Sequence, residues 1–398
     1  MFLEIFILAL LGIFFGIFTG ICPGIHINLV AAVLLSLSPF LLSYLSPLSL
    51  SCFIIAMSVT HSFLDTLPTI YLGAPDDKTV LGVLPGHRLL MQGRGYLAVK
   101  LSIIGAFSGL ILSILFIPVF ILIAKYIYPL IKNYIVYILI VIMIFMILRE
   151  KNKKWAFTLF LIAGVFGILV FSIPNLKNPL FPMLSGLFGL SALLISYFDN
   201  TKIPEQKIDD NVDIDKKSIR TIFSSVIAAI LVAFFPGLGP AQGSLIASQI
   251  NGKNDNKSYL VLVGAVGTIS VIFGLITFYT IGKARDGTIV TISKLLEINF
   301  SYLLILVFVL LFAGSIAVLL TLFFAKKFSG FISKINYKAL IISIIIFILI
   351  LTPILSGFTG MVVLLTAASI GFIAPLKNVS RSHAMGCLIL PVIFYFLL

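Results

Sequence analysis

A chain of 398 residues that is 60% hydrophobic and 10% charged, with mean hydropathy +1.21, carries more apolar surface than a globule of this size can hide, so its solvent is lipid. The net charge of +13 comes from Lys and Arg scattered over many short loops, which argues against a nucleic-acid-binding domain and fits topological charge facing the cytoplasm. Cys22, Cys52 and Cys387 all lie in apolar stretches without metal-type spacing and read as small core residues, neither disulfides nor ligands.

Apolar stretches near or above the roughly 20 residues that cross a hydrocarbon core recur throughout, whereas a transmembrane barrel would show alternating strands of about 10. The expected fold is an all-α polytopic protein of the cytoplasmic membrane with about 10–14 hydrophobic segments. They run over 2–20, 25–45, 48–72, 97–124, 133–148, 155–173, 180–198, 220–235, 238–250, 258–282, 299–325, 339–355, 357–376 and 383–398. The first carries Glu4, lacks a basic leader and is followed by no A-x-A-like cleavage site, so it reads as part of the mature protein.

The one long polar connection, 199–219, mixes Asp199, Glu205, Asp209, Asp210, Asp213 and Asp215 with Lys202, Lys207, Lys216 and Lys217 and cannot form a core. It divides the chain into an N-terminal half, 1–198, and a C-terminal half, 220–398. The basic loops Arg149–Lys154 and Lys326–Lys338 should be cytoplasmic. Counting spans from them puts the linker and the 74–96 loop inside and the 283–298 loop outside, given a hairpin over 220–250.

The halves share a pattern: GIFTGICPGIHINLVAAVLLSL around Pro23-Gly24 resembles AAILVAFFPGLGPAQGSLIASQI around Pro236-Gly237. Each is followed by a polar-spotted helix ending in Gly and an acidic loop, Gly73 to Thr79 and Gly282 to Thr288. Equivalent loops on opposite sides imply two inverted-topology repeats with re-entrant or broken helices, an arrangement that places transporter sites at the repeat interface.

Proline removes a backbone donor and glycine relaxes the helix, so a Pro-Gly pair breaks the hydrogen-bond ladder where no water can repair it. The restarting helix presents free N–H groups and a positive dipole end, which suit a carboxylate or phosphate. The expected substrate site is therefore Pro23, Gly24 and Ile25 with His26 and Asn28, and Pro236, Gly237 and Leu238 with Gly239, Gln242 and Ser244. The competing reading is a pair of kinked helices whose glycines allow close packing.

Within 48–72, His61 and Asp65 stand one turn apart on one face, near Ser58, Ser62 and Thr69. Ionisable groups at that depth usually face a cavity. The pair is expected either to bind a coupling proton or Na⁺, or to satisfy itself as a structural ion pair; the matching helix of the second half offers only Thr268, Ser270 and Thr277. Asp76, Arg88 and Arg94 lie in a turn-rich loop that reads equally as an anion-steering gate and as positive-inside charge. Thr366, Ser369, Lys377, Arg381 and His383 read as a helix boundary on the cytoplasmic side.

GICPGIHINLVAAVLLSL, LPTIYLGAPDDKTVLGVLPGHRLLMQGRG, FFPGLGPAQGSLIASQI and GFTGMVVLLTAASIGFIAPLKNVSRSHAMGCLILPV together resemble the large membrane subunit of tripartite tricarboxylate transporters, the TctA family, and its shorter archaeal-type relatives in particular. The resemblance implies a permease with a duplicated core that works with a small membrane subunit and an extracytoplasmic binding protein to import carboxylates on an ion gradient. It places the family's Pro-Gly loops on Pro23 to Asn28 and Pro236 to Ser244, and its Asn-x-Pro-type loop on Gly73 to Asp76. Asp65 and His26 stand where the family pattern has small residues.

The expected function is a secondary transporter of an organic anion, a carboxylate first, working by alternating access with Na⁺ or H⁺ as coupling ion and without an organic cofactor. Its partners would be the anion, membrane lipids and the two further subunits; a homodimer is compatible with this reading. One alternative is translocation of a phosphate-bearing lipid carrier such as polyprenyl phosphate. The other is an intramembrane enzyme using His26, His61, His87, His383 and Asp65, but no H-x-x-x-H, HExxH or Ser/Cys nucleophile motif occurs.

Overall fold

The computed structural model describes residues 2–22, 27–73, 80–198, 203–208, 216–234, 239–252, 255–284, 286–333 and 337–397. Among them no strand occurs. The α-helices of the first half are Phe2–Ile21 (α1), Ile27–Leu41 (α2), Pro47–Leu64 (α3), Val83–Leu90 (α4), Gly95–Leu115 (α5), Ile117–Leu122 (α6), Tyr128–Ile131 (α7), Ile135–Arg149 (α8), Lys153–Ser172 (α9), Leu180–Leu184 (α10) and Ser191–Phe198 (α11). Those of the second are Lys216–Phe234 (α12), Pro240–Asn251 (α13), Asn256–Ile281 (α14), Gly287–Leu295 (α15), Phe300–Ile332 (α16), Tyr337–Gly371 (α17), Ile373–Leu376 (α18) and Gly386–Leu397 (α19).

Seven helical stretches among these residues are long and apolar enough to cross a membrane, and an eighth arises if the bent pair Ile117–Tyr134 and Val136–Arg149 is one span. Large apolar side chains such as Phe14, Leu319 and Phe358 are exposed, Phe358 by 83%, which only a lipid surround accommodates in such numbers. The protein is a multi-pass α-helical membrane protein.

Two helical spans form the buried centre, Pro47–Leu72 and Asn256–Ile281, each of 26 residues. Their ends are set by the same local chemistry. Ser46 and Asp255 sit in extended conformation at the N-caps and accept from the N–H groups of Ser49 and Ser258, satisfying donors that a helix start leaves open. Gly73 and Gly282 close the C-termini in the left-handed region, at φ 66° and 67°, a conformation that costs glycine nothing. Aligning Gly73 with Gly282 aligns Pro47 with Asn256, so the two spans match end to end.

The neighbours of these spans match in order as well, and they cross between halves. The span beginning with α3 packs against α1 and α16, and α14 packs against α12 and α5. The short helix after each left-handed glycine also crosses over: α15 lies against α2 and α3, and α4 lies against α14 as well as α5. One difference separates the halves: α13 folds back onto α12, while α2 packs on α15.

Glycine sets the approach distances. On α1, Gly16 and Gly20 face Thr60, Met57, Leu64 and His61, and a Cβ at Gly16 would stand 2.6 Å from that of Thr60. On the α5–α14 contact, a Cβ at Gly105 would overlap the Val261 carbonyl and one at Gly264 the Ser102 carbonyl. Small residues substitute here for the hydrophobic drive that is missing between helices in lipid.

The remaining helices pack beside this centre, α9 with α19 and α8, and α17 with α10, α11 and the π-turn Ser185–Leu190. Inside α17 the helix breaks at Gly357, φ 69°. The part of the linker described, 203–208, is strapped to the α4–α5 turn: Lys207 N–H donates to the Gly93 carbonyl at 2.8 Å, and Gln206 takes the Gly95 N–H at 2.8 Å and gives to the Leu90 carbonyl at 3.1 Å. Residues 203–208 and the α4–α5 turn therefore lie together.

Candidate functional site

Pro68 shapes the C-terminal end of the first buried span. It has no N–H to give the Leu64 carbonyl, so the α-helical ladder cannot run through it. The helix turns at Asp65 and continues as the π-turn Pro68–Leu72, the kind of local widening often found at functional sites. Asp65, 3% exposed, stands at that turn, well inside the span.

Beside it lies a cavity of about 20 Å³, bordered by Ser62, Asp65, Thr66 and Thr69 of this span, Gly82 before α4, Ser102 of α5, and Gly264 and Gly267 of α14. The hydroxyl protons of Ser62 and Thr69 are already committed, to the carbonyls of Ser58 at 2.9 Å and of Asp65 at 2.8 Å. Gly82 belongs to the 3₁₀ turn Val80–Gly82, which also packs against α13. The cavity thus borders both halves.

His61, 1% exposed, lies one turn before Asp65 and its carbonyl accepts the Asp65 N–H at 2.9 Å, but it does not border the cavity. Ser58 turns to the other half instead, 3.3 Å from the Thr288 hydroxyl of α15. Thr268, Ser270 and Thr277 of α14 all give their protons to carbonyls one turn back in their own helix. The position of α14 aligned with Asp65 is Gly274, so the carboxylate belongs to one half alone.

Helix α13 starts at Pro240, with Gly239 extended at its N-cap. Gln242 is 2% exposed, and its Oε1 accepts the Gly239 N–H at 2.9 Å, which fixes the orientation of the amide. The Nε2 donors of Gln242 have no hydrogen-bond partner among the described residues. Ser244 is buried and donates to the Pro240 carbonyl at 2.8 Å, so its lone pairs are what it offers.

Pro23, Gly24, Ile25, His26, Asp76, Pro236, Gly237 and Leu238 lie outside the described residues, and Asn28 is placed only as the second residue of α2. Arg88 in the last turn of α4 and Arg94 at the start of α5 are exposed. Among the described residues no three His, Cys, Asp or Glu side chains come together as a metal centre.

Sequence reading did not single out Thr66 or Ser102, because what marks them is their meeting across two helices. It also gave no sign of a second polar cavity, about 210 Å³, where the end of α8 (Arg149, Glu150), the end of α13 (Gln249, Gly252) and Ser380, Ser382 and His383 converge. There His383 Nε2 lies 3.3 Å from Glu150 Oε2 and Arg149 donates to Gln249 at 2.9 Å.

The sequence model of the family described as "Tripartite tricarboxylate transporter TctA family" matches residues 6–386. A protein of Methanocaldococcus jannaschii, described as uncharacterized, is 33% identical over 401 residues, which cover 98% of this chain and 98% of that relative. No solved structure matches the chain. With its buried pair of matched spans, its multi-pass helical fold and a match over nearly its whole length, the chain belongs to the tripartite tricarboxylate transporter TctA family.

Proposed function

We propose that this protein is an ion-coupled permease for an organic anion, a carboxylate first, that works by alternating access between two inverted halves. The observation that carries the reading is the half-buried start of α13, two residues after Pro236-Gly237 in the sequence, which coincides with a buried, oriented Gln242 amide whose N–H donors are uncommitted among the described residues. A buried donor left open costs about 1–3 kcal/mol, a debt that an anionic ligand settles. The helix dipole adds to the attraction.

The matched 26-residue spans, the equal left-handed glycine ends and the crossed packing of α4 and α15 support a duplicated core. An inverted relation of the halves makes alternating access a rocking of one around a fixed site. Asp65 supplies the coupling charge. By family, a small membrane subunit and a binding protein are its working partners, and the cytoplasmic membrane its place.

Thermal unfolding of the full chain in detergent against di- and tricarboxylates, inorganic phosphate and a polyprenyl phosphate tests this directly. A bound carboxylate at about 100 times its Kd stabilises the folded state by about 2.7 kcal/mol, a readable rise in Tm. The expected result is a saturable rise with a carboxylate that Gln242→Leu removes while leaving the ligand-free Tm near that of the parent. A response to no carboxylate overturns the reading, and a response to the polyprenyl phosphate alone redirects it to a lipid carrier.

A further inference from the structure

Arg149 and Glu150 are consecutive in the sequence and border the same cavity of about 210 Å³, yet they pair with different neighbours. Arg149 Nη1 donates to Gln249 Oε1 at 2.9 Å, and Arg149 has no acidic partner among the described residues. Glu150 Oε2 lies 3.3 Å from His383 Nε2, while Glu150 Oε1 accepts no hydrogen bond among the described residues. His383 is 1% exposed and its Nδ1 has no partner among the described residues, so protonation would bury an N–H donor with nothing to accept it. Burial lowers its pKa in the same sense. The ring is therefore neutral near pH 7 and donates from Nε2 to the carboxylate. One guanidinium and one carboxylate thus border a single polar cavity, each held by a neutral group and neither paired with the other.

We propose that this cavity binds a small zwitterion, a free α-amino acid whose ammonium group meets Glu150 and whose carboxylate meets Arg149. Gln249 has its Oε1 taken by Arg149, which keeps its Nε2 donors for the same carboxylate. Met146, 4% exposed, gives the cavity an apolar wall for a small side chain. A simple anion would meet the Glu150 charge and a simple amine the Arg149 charge. A divalent cation would find one carboxylate beside a guanidinium, too few oxygens and the wrong neighbour. Sites for drug-sized ligands run to about 300–1,000 Å³, so a cavity of about 210 Å³ suits a molecule of amino-acid size.

The cavity joins elements from different parts of the fold. Helix α8 packs on α9 and α19, α13 packs on α12 and α14, and the 3₁₀ turn Arg381–Met385 lies on α9. By the positive-inside rule the basic run Arg149–Lys154 sets this end on the cytoplasmic side, where the ligand is a solute of the cell interior. Gln249 stands on α13 two turns beyond Gln242 and on the same face, about 10 Å along the axis. A ligand held between α8 and α13 therefore fastens the far end of the helix whose start carries the Gln242 amide. It binds the arrangement in which that amide is already oriented by the Gly239 N–H, so the amino acid and the transported anion select one conformation and favour each other. This coupling rests on the anion reading above; the binding of the amino acid does not.

The test is thermal unfolding of the purified full chain near neutral pH and at matched ionic strength. The probes are glycine, L-alanine and L-serine against acetate and methylammonium, each of which keeps one charge of glycine, with phosphatidylethanolamine as a lipid-borne zwitterion. The expected result is a saturable rise in Tm with the amino acids that the other three do not give. Glu150→Gln keeps an acceptor for His383, and Arg149→Gln changes an exposed position; each weakens the apparent glycine affinity about tenfold or more, the loss of one charge-assisted hydrogen bond. The two variants fail in opposite senses, acetate gaining on glycine in Glu150→Gln and methylammonium in Arg149→Gln, which a loss of structure would not produce. Equal responses to glycine, acetate and methylammonium overturn the site, as does a glycine response unchanged in both variants, and a response to the lipid alone overturns the soluble ligand. Gln242→Leu keeps the glycine response; its loss there would assign the amino acid to the anion site and overturn a second one. Saturating glycine lowers the apparent Kd for the carboxylate about fivefold or more, and an unchanged Kd overturns the coupling. A carboxylate response with no glycine response removes the zwitterion site alone, and a glycine response with no carboxylate response removes the anion reading alone.

Discussion

At Gly105 and Gly264 the difference between a hydrogen and a methyl group decides whether α5 and α14 can meet. A Cβ at either position would overlap a backbone carbonyl of the opposite helix, Val261 or Ser102, and backbone cannot step aside as a side chain can. Gly105→Ala should therefore push apart the two helices that form one wall of the cavity, at a cost of about 1–3 kcal/mol, typical of overpacking. Gly330→Ala on α16 is the control, since a Cβ there meets nothing within 4 Å and the backbone is helical; it should be neutral or stabilising by about 0.4–1 kcal/mol. Thermal unfolding of the two variants side by side checks the contrast, and similar losses of Tm in both would show that the close α5–α14 approach is not what Gly105 provides. The same scale shows what sequence can reveal of the site. Asp65 stood out because a carboxylate in an apolar span is rare, and Ser62 and Thr69 because they stand about one turn from it on the same face. Thr66 and Ser102 did not, because they come to line one cavity only once two helices pack together.

Elements carry the next layer, and the contact that ends at His383 is the most testable. The 3₁₀ turn Arg381–Met385 lies outside the seven spans and holds His383 against Glu150 at the end of α8, while Arg149 reaches Gln249 on α13. The charged groups at this junction are Glu150 and Arg149 from α8 and His383 itself; Arg381 is turned away to the Phe188 carbonyl and Ser191. Burial lowers the His383 pKa below 6.5, and the Glu150 hydrogen bond and charge offset this only in part. The unfolded chain then binds more protons than the folded one between the depressed value and 6.5, so stability is full above 6.5 and falls as pH drops through that window. His383→Gln should flatten the acid limb of a Tm-against-pH curve, and an unchanged limb would assign the acid sensitivity elsewhere. Each apolar segment read from the sequence contains a helix in the structure, and the division at 355–357 reappears as the break at Gly357. The short helices α4 and α15 escaped notice because α4 contains Pro85-Gly86 and α15 opens on Asp286-Gly287, turn signals that tertiary packing overrides in helices of eight and nine residues. The strap 203–208 escaped notice too, since it is held by one backbone bond from Lys207 and by the amide of Gln206, which meets only backbone groups of the α4–α5 turn and so has no partner side chain to mark it in the sequence.

For the whole molecule, the division into halves at the linker cuts across the packing. The first half's α5 lies on α14, the second half's α16 lies on the span of α3, and α15 lies on α2 and α3. Polar contacts cross too: Tyr71 bonds Ser329 at 2.6 Å and the Ala325 carbonyl at 3.1 Å, Ser58 pairs with Thr288, and Lys283 donates to Tyr128 at 3.1 Å. Each half alone would leave open the glycine-lined α5–α14 contact and the face of the first span that meets α16, where helix association in lipid depends on such close contacts. The continuous chain adds only an effective concentration. Residues 1–210 and 211–398 produced as two separate chains should therefore assemble in the membrane and co-purify through a tag on either one. The reassembled pair should keep the glycine dependence of the intact protein, with Gly105→Ala in the first chain lowering recovery of the second. Failure of the unmodified pair to co-purify, with both chains inserted in the membrane, would mean that the crossed contacts do not hold the halves together, and the interlocked core described here would lose its energetic basis.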